Sequence, residues 1–186
     1  VEHKPHIKNG CFFLPLVTSF GAEESRVVGV LTMAKFGRTG GFEYGGGVPA
    51  EDKDVLAKLQ KAKVGKKYQG IEYIDAAITL GKKLHPQIPI TKATIYKLPY
   101  KDNSFDVVLC TEVLEHLENP ERALLELKRV AKKYVVLSVP NEPSFTIQRI
   151  LRGKNILGLG AHPEHIQHWS SGAFKQFVQK HLTILS

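Results

Sequence analysis

The sequence predicts an α/β protein with a doubly wound, mostly parallel sheet and helices on both faces. Three observations carry this. Residues 105–110 and 134–139 are short, nearly continuous apolar runs, the pattern of strands buried on both faces. Residues 119–132, between them, place apolar side chains at helical spacing, so 105–143 reads as one βαβ unit around which the chain is organised. Polar residues follow each run: Thr111, Glu112, Glu115 and His116 after the first, Asn141 and Glu142 after the second. Ligands of open α/β sheets bind at those carboxyl ends.

Composition fits one soluble domain spanning residues 1–186. A chain of 186 residues buries roughly 70% of the surface its unfolded form exposes. Its hydrophobic share of 42% and charged share of 24% are ordinary. Cys11 and Cys110 lie far apart, the second inside an apolar run, so a buried free thiol in a reducing cytoplasm is expected rather than a disulfide. No run approaches the roughly 20 apolar residues of a membrane span. The chain begins at Val1 and its one methionine is Met33, so residue 1 is not expected to be the encoded start. A net charge of +8 raises the question of an anionic partner. The lysines come in separate pairs (Lys66-Lys67, Lys82-Lys83, Lys132-Lys133) at helix ends and turns, without interleaved aromatics. The helix dipole accounts for such placement, which favours a basic enzyme over a nucleic-acid binder.

The helix within the βαβ unit has a well-formed start, with Asn119 as N-cap, Pro120 in first position and Glu121 in the first turn. Ala123, Leu124, Leu127, Val130 and Ala131 form its apolar stripe, and Arg122, Glu126 and Lys128 are expected to face water. Upstream, residues 11–18 and 26–33 read as two strands separated by a turn, and residues 37–47 are glycine-dense. Val55, Leu56, Leu59 and Ala62 follow helical spacing to a stop at Gly65. Residues 68–73 read as a parallel strand, Asp75 as the cap of the next helix, and residues 88–95 as a third strand. An acid at a strand end suits a ribose, because a carboxylate accepts from two adjacent hydroxyls, and Glu72 stands there.

Asp102-Asn-Ser-Phe-Asp106, Cys110-Thr-Glu-Val-Leu-Glu-His-Leu117 and Asn119-Pro-Glu-Arg-Ala-Leu124 resemble the central signature of S-adenosylmethionine-dependent methyltransferases of class I, most closely the type 11 methyltransferase domain of small-molecule enzymes. The similarity runs from about Gly70 to the C-terminus and is densest over residues 98–143. It implies S-adenosylmethionine as cofactor and a Rossmann-like methyltransferase fold. Glu43, Gly45 and Gly47 become the nearest counterpart of the family's glycine-rich turn, where backbone amides approach the methionine end of the cofactor. No apolar strand leads directly into Glu43, and residues 48–53 lengthen the turn, so this motif departs from the family's pattern. Glu72 and Tyr73 correspond to the ribose-binding strand end. Thr94 and Ile95 stand where the family commonly has an acid for the adenine amino group, a loss worth roughly 1–2 kcal/mol of affinity. Leu98 and Tyr100 wall the adenine or belong to the core. Thr111 and Glu112 lie beside the cofactor in the resemblance, and Glu115 and His116 could take a proton from the acceptor, His116 being the natural base at neutral pH.

Past residue 143, an amphipathic helix (144–157) and a glycine-rich hinge are expected to form a lid or acceptor-pocket insertion over 144–170. His162, His165 and His168 are spaced by three rather than as the i, i+4 pair of a helical zinc site, with no cysteine nearby, so no metal is expected. Ser170 or Ser171 opens a last helix, and residues 181–185 begin a strand. Only one strand of the family's usual C-terminal hairpin fits. Either the chain is truncated or the two N-terminal runs supply the missing edge.

Three functional readings follow. The first is transfer of the sulfonium methyl to an O, N or C nucleophile of a small-molecule acceptor by in-line displacement. Donor and acceptor are held collinear, and a base is needed only when the acceptor carries a proton. The second is a catalytically inactive methyltransferase-like binding protein, suggested by residues 35–53 and Thr94. The third, a nucleic-acid methyltransferase, rests on net charge alone.

Overall fold

The computed structural model describes residues 7–8, 11–13, 26–30, 55–141 and 166–184. The chain divides into two compact units, one of Val1–Thr18, Thr111–Leu125 and Val136–Ser186, the other of Ser19–Cys110 and Glu126–Val135. Among the described residues, seven strands are hydrogen-bonded in the order β1-β2-β7-β6-β3-β4-β5.

The second unit holds the parallel strands. β3 (Arg26–Val30) pairs with β4 (Lys67–Glu72) on one side, Val30 opposite Ile71. On its other side lies β6 (Phe105–Thr111), Val30 opposite Cys110. β4 in turn pairs with β5 (Ile90–Lys92), Glu72 opposite Lys92. Between strands run α1 (Val55–Lys61) and α2 (Asp75–Leu84). Ile71, Val107, Val108, Leu109 and Cys110 are buried, which is the two-sided covering that their unbroken apolar runs call for. Leu56 of α1 and Ile78 of α2 are buried in the same core, and so is Leu98, which is therefore a packing residue.

The run at 26–30 is not half of an N-terminal pair with 11–13. It is the strand between β4 and β6. Its continuous apolar character suited a buried parallel strand, but periodicity does not name a strand's partner. Other boundaries also shift. The third strand is only Ile90–Lys92, and residues 94–97 close a turn through a Thr94–Lys97 bridge. Asp75 is the first helical residue rather than a cap, and its carboxylate takes the Lys92 ammonium at 2.6 Å.

In the first unit, β1 (Ile7–Lys8) pairs antiparallel with β2 (Cys11–Phe13), and β2 pairs antiparallel with the end of β7 (Ala131–Pro140), Phe12 opposite Val139. The N-terminal strands thus provide the antiparallel edge. A 3-10 turn (Leu114–His116) leads to α3 (Pro120–Val130), where Asn119 Oδ1 accepts from Arg122 N at 3.0 Å, the expected cap. The stripe Ala123, Leu124, Leu127 and Val130 is fully buried. α4 (Ser171–Gln179) is capped by Ser170, whose Oγ accepts from Ala173 N. The expected strand after it is absent at residues 181–184, which form turn and coil.

Candidate functional site

Glu72 ends β4 with 4% of its surface exposed. Its Oε1 accepts from the backbone N–H of Tyr73 at 2.6 Å and of Ile74 at 3.0 Å, the two residues that lead into α2, whose start has no side-chain cap. Burial raises its pKa above the ordinary value, and the two amides pull partly back. Neither bond uses Oε2. A desolvated acid at a strand end, half-satisfied by backbone donors, is chemically suited to a ligand that brings further hydroxyl donors, as a ribose diol does.

The other adenosyl candidates of this unit sit close by. Ala93 N donates to Glu72 O at 3.1 Å, which brings the Thr94 turn to the end of β4. Thr94 Oγ1 lies 3.4 Å from Tyr96 N, and Lys97 N donates to Thr94 O at 3.1 Å. The threonine hydroxyl therefore already serves its own turn. Ile95 is buried, whereas Tyr73 is 64% exposed beyond Glu72. Tyr100 packs edge-on against Phe105 with ring centroids 4.8 Å apart.

A clamp that the sequence reading missed holds the segment after this turn. Glu126, expected to face water, has a side chain only 14% exposed. Its Oε1 accepts from Leu98 N at 2.6 Å and from Arg129 at 2.7 Å. The Arg129 guanidinium also donates to the Tyr100 carbonyl and to Asp102 Oδ1, both at 2.8 Å, and to Leu98 O at 3.2 Å. These carboxylates raise the arginine pKa further. The i, i+3 spacing of a glutamate and an arginine on α3 was the available signal.

In the first unit, Thr111 is half-buried at the end of β6 and Glu112 follows with φ 55°, a left-handed conformation uncommon outside glycine. Ser138, itself buried, secures it twice: Glu112 N donates to Ser138 O at 3.0 Å, and Ser138 Oγ donates to Glu112 Oε1 at 2.9 Å. Glu115 and His116 are adjacent and buried, with side chains 2% and 5% exposed and His116 Nε2 3.8 Å from Glu115 Oε1. The Glu115 carbonyl accepts from Ile166 N and Gln167 N, and Gln167 Nε2 donates to Leu117 O. Glu43, Gly45 and Gly47 lie outside the described residues, as do His162, His165 and residues 144–157. Among the described residues no cluster of metal-ligating side chains is found. No helix among them is long and apolar enough to cross a membrane.

Residues 54–139 match the family model described as a methyltransferase domain. Together with the parallel sheet and its helices, this match supports a class I methyltransferase domain of Rossmann-like fold over those residues. Over 54 residues the chain is 48% identical to an uncharacterized methyltransferase of Schizosaccharomyces pombe, covering 29% of this chain and 19% of that protein. Over 78 residues it is 34% identical to the demethylmenaquinone methyltransferase of Streptomyces avermitilis, covering 42% of this chain and 34% of that one. The chain thus spans well under two thirds of either relative. Among solved structures, a methyltransferase of Haloferax volcanii in complex with the Trm112 activator superposes with TM-score 0.60 at 15% identity, over 86% of this chain and 62% of that one. An S-adenosylmethionine-dependent methyltransferase of Thermotoga maritima gives 0.55 at 19%, over 84% and 63%. These likenesses establish the fold.

Proposed function

We propose that this protein transfers the methyl group of S-adenosylmethionine to a small-molecule acceptor through an O, N or C nucleophile. The observation that carries the reading is Glu72: a buried strand-end carboxylate whose Oε1 is held by two amides. In this reading the carboxylate binds the ribose hydroxyls, and Tyr73, Thr94 and Ile95 surround the adenine. Thr111 and Glu112 serve as cofactor neighbours. The bound cofactor supplies an already activated sulfonium methyl, so the chain's own work is to align the acceptor and exclude water. Where the acceptor carries a proton, His116 receives it, its Nε2 lying 3.8 Å from Glu115 Oε1. Two relatives, a demethylmenaquinone methyltransferase and a ubiquinone biosynthesis O-methyltransferase, support a small-molecule acceptor.

Isothermal titration with S-adenosylhomocysteine tests the reading. The expected result is binding by the wild type and a roughly 10- to 100-fold loss in Glu72→Ala, the worth of a hydrogen bond to a charged group. Undiminished binding in the variant would remove Glu72 from the site. The inactive-protein reading is favoured by one observation, that the Thr94 hydroxyl is engaged within its own turn where an acid commonly stands. It predicts no heat at high micromolar cofactor.

A further inference from the structure

In a parallel sheet each connecting helix carries the chain back to the amino ends of the strands, so helix C-termini and strand starts gather at one edge. In the second unit, α1 ends at Lys61, the turn passes through Lys63 and Lys66, and β4 starts at Lys67. α2 carries Lys82 and Lys83 in its last turn before the chain enters β5. The two connections are in contact, Gln87 Nε2 donating to Gln60 Oε1 at 3.2 Å. Lysine pairs that are separate in sequence therefore share an edge.

All six lysines are exposed. No aspartate or glutamate occurs from residue 55 to 71 or from 76 to 92. Among the described residues, the acids of this unit that form ion pairs use other cations: Asp75 takes Lys92, Asp102 and Glu126 take Arg129, and Asp106 takes Lys133. Among the described residues none of the six has an acidic partner. The helix dipole explains Lys82 and Lys83, but Lys63, Lys66 and Lys67 lie outside any helix.

We propose that this edge binds the phosphate backbone of a nucleic-acid duplex, independently of sequence. Lysines act as point charges without the bidentate fork that reads bases. Tyr68, the one aromatic residue of these connections, has its hydroxyl 2.8 Å and 2.9 Å from the carbonyls of Val64 and Gly65, folded into the turn rather than presented for base stacking. Docking on an anionic bilayer calls for apolar side chains inserted beside the charges, and among the described residues of these connections Leu84 is the only exposed large apolar one. Lys67 and Glu72 mark opposite ends of β4, about 17 Å apart at strand rise. The edge therefore anchors the protein without occupying the proposed ribose end, and it does not depend on the catalytic reading.

The test is fluorescence anisotropy of the full chain with a labelled 20-base-pair duplex, as DNA and as RNA, from 50 to 200 mM KCl. Binding should weaken linearly on a double-logarithmic plot with a slope near −4.5, if about five phosphates are engaged. Lys66→Gln/Lys67→Gln and Lys82→Gln/Lys83→Gln should each weaken binding about tenfold and flatten the slope by about 2. The control Lys175→Gln/Lys180→Gln, which removes the same charge from exposed positions of and beside α4, should change it less than about twofold. Circular dichroism melts confirm that all variants fold. The proposal is overturned by absence of binding at 50 mM salt, by equal loss in the control, or by tighter association with phosphatidylserine-containing vesicles than with either duplex.

Discussion

Glu72 is stabilised by two amides yet destabilised by the water it has lost, and burial is the larger effect. Its folded pKa therefore lies above the unfolded one, so at pH between the two values the folded state holds a proton that the unfolded state has released. The associated stability is complete below the unfolded pKa and is lost as pH rises through the folded value. Glu72→Gln retains an acceptor for Tyr73 and Ile74 but cannot ionise. Urea titrations at pH 4 and pH 7 should show the wild type losing stability between them relative to Glu72→Gln, whose cofactor affinity should nevertheless be lower. A parallel pH dependence in both proteins would contradict the assignment. At His116, substitution by Gln should slow transfer to a hydroxyl or amine acceptor by about 10²- to 10⁴-fold while leaving S-adenosylhomocysteine binding within about twofold. Equal losses in binding and rate would make the residue structural. Glu72 was legible in the sequence because an acid closing an apolar run is a local pattern. The securing of Glu112 by Ser138 was not, because 26 residues separate the partners and neither residue type announces the other.

Among the elements, α3 shows both what spacing conveys and where it stops. Its cap and buried stripe follow from residues three and four apart, and Asn119→Ala should cost about 1 kcal/mol in thermal or urea unfolding. The polar face of the same helix looked solvated, but Glu126 and Arg129 hold Leu98, Tyr100 and Asp102. Arg129→Met removes these donors and leaves a largely buried carboxylate. A loss of about 2–3 kcal/mol is expected, against less than about 0.5 kcal/mol for the exposed neighbour Lys128→Met. α2 and β5 meet at Gly81, where an added Cβ would stand 2.6 Å from Ile90 Cδ1. Alanine there gains helix propensity of about 1 kcal/mol but displaces that methyl. Gly81→Ala should therefore be more favourable in an Ile90→Val background, where the δ-carbon is missing, than in the wild type.

At the scale of the whole molecule, β3 is hydrogen-bonded on both sides, to β4 and to β6, so the parallel sheet depends on a strand from the least readable part of the sequence. Val28→Pro removes an N–H from that strand and should abolish cooperative thermal unfolding by circular dichroism. A retained transition would mean that β3 is dispensable. Local spacing alone determined that the chain alternates buried strands with amphipathic helices, that Glu72 closes a strand and residues 112–116 follow one, and that Asn119 caps α3. Those are properties of neighbours within a few residues, which share a face whatever the rest of the chain does. Tertiary structure decided that residues 26–30 lie between β4 and β6, that residues 7–8 and 11–13 form an antiparallel edge, that Glu126 turns inward, and that scattered lysines line one edge. Each of these depends on pairing across tens of residues, where the partner is selected by the packing of the assembled sheet rather than by any signal in the segment itself.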